Sequence, residues 1–140
     1  MIESYFTYSE FYRPEFLPTK EILDKIDIHK AILNPVREKL GDKVIISQHS
    51  GWRPELYELS KGRSGRSEHC FKGDGAVDVT CAPRLLPKLL KLLIESKYTR
   101  ICYYPAKGFI HCDLKFDPIH KQTFLCRHRT WEAHSLAEFV

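Results

Sequence analysis

Apolar positions recur at helical spacing in the first third of the chain and again after Pro83, and they alternate with polar ones in several short runs elsewhere. Residues 1–18 are aromatic and punctuated by Pro14 and Pro18, which predicts an extended arm packed on the domain. Thr19 can cap a helix that carries Ile22, Leu23 and Ile26 on one side. Asp27 offers a second start for a helix with Ala31, Ile32, Val36 and Leu40, where Pro35 kinks or restarts the helix and Gly41 ends it. The β-branched run from Val44 leads into a turn at Ser50-Gly51, and Pro54 opens a short helix, PELYELS, that stops at Lys61-Gly62.

The polar, glycine-rich stretch Gly62 to Glu68 predicts a mobile surface loop, and Ala76 to Cys81 alternates as a strand. Pro83 begins a leucine-faced helix, PRLLPKLLKLLIESK. Arg100 to Tyr104 and Phe109 to Phe116 form two strands joined by the turn PAKG. TFLCRH predicts a further strand, and Thr130 caps a short terminal helix. This order defines an α+β fold: N-terminal helices, then a small, mainly antiparallel sheet with one helix inserted.

With 140 residues, the chain is expected to form one domain, 1–140, with an arm at 1–18 and a C-terminal extension at 117–140. The net charge of +4 is spread among acidic residues without a basic stripe, so no nucleic-acid partner is expected. Attraction to an acidic polymer such as a bacterial wall is compatible with the same charge. Five cysteines at irregular spacing, with no CxxC pair, suggest buried reduced thiols and folding in a reducing cytoplasm. No export signal and no apolar run long enough for a membrane anchor are evident, so synthesis in the cytoplasm and delivery by another agent are expected.

Chemistry concentrates in SEHCFKGDGAVDVT, Ser67 to Thr80, and in FIHCD, Phe109 to Asp113. A hydrolytic zinc site takes three protein ligands and leaves one position for water. His69, Asp78 and His111 come from three segments and supply such a set, with Gly73 and Gly75 allowing the chain to reverse between the first two. Strand parity places Ala76, Asp78 and Thr80 on one face and Val77 and Val79 on the other. The same parity sets His111 beside Asp113, and a buried strand has little use for that pair unless it is partnered or binds something. Asp74 is a competing ligand in the turn.

The run Ser67-x-His69, a glycine turn, then Ala76-x-Asp78, together with SGWR at Ser50 to Arg53 and YYPAKGFIHC at Tyr103 to Cys112, resembles the zinc D-Ala-D-Ala peptidases. That family includes phage endolysins and vancomycin-resistance D,D-peptidases, with the hedgehog signalling domain as a distant relative. The resemblance spans about Phe11 to Phe116 and implies a hedgehog/D,D-peptidase-like fold with Zn2+ held by His69, Asp78 and His111.

It also implies that Arg53 engages a substrate carboxylate or developing oxyanion and that Ser67 hydrogen-bonds substrate backbone. Asp113 is either the general base or the partner that orients a histidine ligand, with Glu68 as a poorer base. Trp52 is placed in the cleft and Trp131 in packing, and His49, His120, His128 and His134 fall outside the pattern. The implied substrate is a peptidoglycan stem peptide or cross-link, cut by a phage-type lysin or virion-associated hydrolase with virion proteins as further partners. Two departures stand out. The first histidine and the aspartate lie nine residues apart instead of seven, and PAKGFI holds no carboxylate where many members carry one. The second departure motivates an alternative, a zinc-binding structural module without turnover.

Overall fold

The computed structural model describes residues 4–115 and 124–127. A first helix, α1 (Lys20–Leu40), precedes β1 (Ile45–Ile46), α2 (Glu55–Ser60), β2 (Ala76–Thr80), α3 (Leu86–Ile94), β3 (Arg100–Tyr104), β4 (Phe109–Asp113) and β5 (Phe124–Arg127). The sheet runs β1-β2-β4-β3-β5, antiparallel except for the parallel β3–β5 pair. The α+β architecture is as expected from the sequence.

Several elements differ from expectation. The chain forms one helix where two were expected: Thr19 accepts from the Ile22 amide, and α1 then continues through Asp27 and Pro35 to Gly41, whose φ of 75° closes it. Pro35 is exposed, so the carbonyl it leaves without an amide donor faces water, and the helix tolerates it. Pro54 is the N-cap of α2 and not part of its first turn. β4 stops at Asp113, short of Phe116, and β5 covers only Phe124–Arg127 of TFLCRH. The expected helix from Thr130, with Trp131, His120, His128 and His134, lies outside the described residues.

Where the sequence suggested an extended arm, residues 4–18 carry a 3-10 turn at Tyr8–Phe11 and bury Phe6, Phe11 and Phe16. Trp52 joins that cluster edge-on to Tyr12 and Phe16, so it is packing and not cleft lining. The loop after α2 runs over the surface but is tied down by Arg63, which bonds Glu58.

One face of the sheet, with Val77, Val79, Ile101, Ile110 and Cys112, buries against α1 and α3. Leu89, Leu90 and Leu93 of α3 are almost fully covered, each worth roughly 1.5–3 kcal/mol of burial. Register aligns Asp78 with His111 and His111 with Cys102, and Ala76 with Asp113 and Asp113 with Arg100. Polar groups from three strands therefore share the opposite face.

Cys70, Cys81 and Cys112 are free and buried, but Cys102 is disulfide-bonded, which corrects the all-thiol reading. The parallel β3–β5 pairing, absent from the sequence reading, sets the backbone of Cys126 opposite that of Cys102.

Candidate metal centre

His69 sits on a 3-10 turn, Glu68–Cys70, that Ser67 caps by accepting the His69 amide at 3.2 Å. Phe71 follows with φ 58° and Gly75 with φ 90°. A side chain at Gly75 would strike the Phe71 ring at 2.7 Å, so glycine is required there on both counts. Gly73 needs no such conformation. The turn is held from below by α1: Lys25 donates to the Phe71 carbonyl at 2.7 Å and His29 to the Asp74 carbonyl at 2.9 Å. Tyr98 in turn bonds His29 Nδ1 at 2.8 Å. His29 is fully buried, and burial lowers its pKa to about 4, so it is neutral at pH 7.

SGWR holds the other side. A side chain at Gly51 would meet the Phe11 carbonyl at 2.5 Å, so only glycine lets the arm approach this closely. The Gly51 carbonyl accepts His69 Nδ1 at 2.7 Å, and Ser50 Oγ donates to Asp78 Oδ2 at 2.9 Å. Gln48 and His49, just upstream, both have positive φ, a costly conformation for residues with side chains.

These contacts fix the tautomers. A carbonyl only accepts, so His69 Nδ1 carries its proton and Nε2 presents a lone pair. Asp113 accepts His111 Nε2 at 2.9 Å, which leaves His111 Nδ1 as the bare nitrogen. His69 Nε2 and His111 Nδ1 are 3.1 Å apart, and they lie 3.3 Å and 3.0 Å from Asp78 Oδ1. Three electron-pair donors converging so closely repel one another unless a proton or cation lies between them. For ligand bonds of about 2.0–2.1 Å, a tetrahedral site has edges of about 3.3 Å, close to all three separations. The three residues satisfy the donor set and spacing of zinc.

Without a cation, a proton takes its place between His111 Nδ1 and Asp78. Burial works to raise Asp78, but the proximity and hydrogen bonds of His69 and His111 outweigh it and hold the carboxyl far below the usual range. Burial works to lower His111, yet bonds to Asp113 and Asp78 lift it to about 9. Asp113, although buried, is held at about 2 by bonds from His111 and Arg100.

Asp113 is fully buried behind the His111 ring, on the side away from the ligand cluster. Arg100 clamps it through Nε at 2.8 Å and a terminal nitrogen at 2.6 Å, and the Lys115 amide donates to it at 3.1 Å. Both its oxygens are engaged and it is not among the residues lining the cleft, which favours the orienting role over that of general base. It orients His111. Asp74 is exposed and outside the cluster, which removes it as a competing ligand.

A cleft of about 390 Å³ opens over the cluster, lined also by Arg53, Arg63, Ser67, Tyr104, Lys107 and Phe109. Asp78 is the only carboxylate among the described residues lining it. A larger apolar groove of about 600 Å³ lies between α1 and the end of α3; it shares no residue with the cleft. Arg63 was not singled out from sequence, nor was His29, since neither falls in a motif.

A small sheet that presents an imidazole and a carboxylate, joined by a second imidazole from the adjoining 3-10 turn, to one point at the floor of an open cleft is built like a metallohydrolase. The peptidase M15 family model matches residues 4–113, and the chain belongs to this zinc-dependent metallopeptidase family. No curated protein sequence matches the chain.

Proposed function

We propose that the protein hydrolyses peptide bonds in bacterial peptidoglycan, as a D,D-carboxypeptidase or an endopeptidase, with His69, Asp78 and His111 holding zinc. The reading rests on one observation above all: three lone pairs meet at zinc-like spacing at the floor of a cleft of about 390 Å³. Zinc bound there supplies a Lewis acid and brings the pKa of water to about 7. Gly51 and Asp113 keep the two imidazoles in their ligating tautomers. Arg53 faces the cleft with guanidinium donors for a carboxylate or an oxyanion, and Ser67 offers its hydroxyl proton to substrate backbone. Glu68, which lines the adjoining cavity with His111 but not the cleft itself, is the carboxylate left for the base role. A phage-type lysin, virion-associated or released to the wall during infection, is the setting suggested by the resemblance of Ser67–Asp78 and the 103–112 hairpin.

The absence of a second carboxylate from the cleft lining favours one other reading, a zinc-bound module without turnover. Zinc-loaded protein incubated with purified cell walls or defined muropeptides is expected to release new amino groups, and a chelator to stop it. Glu68→Gln is expected to lower turnover about a hundredfold with zinc retained. One bound zinc with no hydrolysis of any fragment selects the inactive module.

A further inference from the structure

Glu58 is a carboxylate only 1% exposed on a short surface helix, and two arginines reach it. Arg63 bonds one of its oxygens through two nitrogens. Arg53 Nε lies 3.2 Å from the other but off hydrogen-bond geometry, so Arg53 Nε and Glu58 Oε1 are buried without a hydrogen bond. Neither guanidinium pairs with a second carboxylate among the described residues. Two cations thus share one anion, leaving a net positive charge. The excess charge lies on Arg63, half exposed at the cleft wall, while the buried Arg53 Nε–H lacks an acceptor; a polar group left so carries a cost, and such a cost is kept where it serves a ligand.

The location of this charge identifies the ligand. Arg53 and Arg63 both line the cleft over His69, Asp78 and His111, and both also line the two cavities of about 530 and 480 Å³ that adjoin it. The pair stands where the three spaces meet. Arg53 also donates to Ser50 at 3.0 Å, and Ser50 bonds the ligand Asp78, so one guanidinium is keyed to the metal cluster. Arg63 is half exposed, on a loop that Gly65 brings against Glu55, and Glu58 holds its guanidinium at the cleft wall, where an incoming anion can reach it.

We propose that Glu58 holds Arg53 and Arg63 as a paired subsite for a substrate carboxylate next to the scissile bond, and that Arg63 is a specificity-determining residue. This builds on the zinc peptidase reading. Glu58 is a positioning residue: it sets the spacing of the two guanidiniums without touching substrate.

The test compares a wall-derived peptide ending in D-alanyl-D-alanine with the same peptide as its C-terminal amide, using the zinc-loaded full chain. Wild type is expected to favour the acid by about ten- to hundredfold in kcat/KM, the range of one charge-assisted hydrogen bond. Arg63→Gln is expected to remove most of that preference by raising KM for the acid alone, with kcat within about twofold, while Arg63→Lys restores part of it. Glu58→Gln is expected to narrow the preference as well. An unchanged acid-to-amide ratio in Arg63→Gln, or an equal loss on both peptides, overturns the subsite. If wild type cleaves neither peptide, the peptidase reading fails separately, and binding decides the subsite. N-acetyl-D-alanyl-D-alanine is then expected to shift the Nε–H resonances of Arg53 and Arg63 where its amide does not; equal or absent shifts overturn it.

Discussion

Two buried polar clusters flank the turn between His69 and Asp78, and they are built in opposite ways. Above it, His69, Asp78 and His111 aim three lone pairs at one point. Below it, Tyr98, His29 and the Asp74 carbonyl form a closed chain in which each donor has an acceptor. The lower cluster is self-sufficient, so its worth is stability. The upper one closes only around an added proton or a cation, so its worth is chemistry. Burial of polar groups is common to both, and what separates function from structure is whether the hydrogen-bond inventory closes.

Substitutions should divide along that line. His111→Ala is expected to reduce wall hydrolysis to background and the zinc content to well below one per chain, measured by metal analysis, with little loss of fold stability. His29→Leu should do the reverse. It strands the Asp74 carbonyl and the Tyr98 hydroxyl, at a cost of about 2–4 kcal/mol in urea unfolding, while zinc stoichiometry is kept. His29→Gln, whose amide offers both donor and acceptor groups, is expected to recover part of that loss. A fully stable His29→Leu protein would erase the distinction.

Asp113 joins the two behaviours, because it is buried and satisfied like the lower cluster but bonds a ligand of the upper one. Asp113→Asn is expected to weaken zinc binding about 10–100-fold in a chelator competition, the usual cost of losing the partner of a ligating histidine. A base would instead show normal zinc affinity with lost turnover.

Much of the upper cluster was legible in the sequence because strands have a period of two. AVDVT and FIHCD each put their polar residues on one face whatever the partner strand, and Ser50-Gly51 and Gly75 marked the turns. The lower cluster was not legible. His29 lies on α1 among ordinary helical residues, and its partners are a backbone carbonyl 45 residues away and a tyrosine 69 residues away. The extension of the turn to nine residues became intelligible only with Lys25 and His29, one helical turn apart, holding its carbonyls. The same limit hid the fusion of two expected helices into α1: Asp27 has the chemistry of a cap, but Tyr8 binds its carboxylate and the helix runs on. Parallel pairing of β5 is likewise a long-range choice with no local signature.

The smallest expected effect separates the clusters by pH. His29 has a folded pKa of about 4 against about 6.5 in an unfolded chain. Its pKa is lowered on folding, so the stability it contributes is fully present above about pH 6.5 and is lost as pH falls toward 4, where the unfolded chain binds the extra proton. Between pH 6.5 and 5 this amounts to about 2 kcal/mol. Wild type and His29→Gln, both zinc-loaded, share the upper cluster, so their stability difference isolates His29. That difference is expected to shift in favour of the glutamine variant as pH falls from 7 to 5, read from urea midpoints at each pH. Parallel curves would mean that His29 gains its proton inside the fold without penalty, and the lower cluster would then be no more closed than the upper.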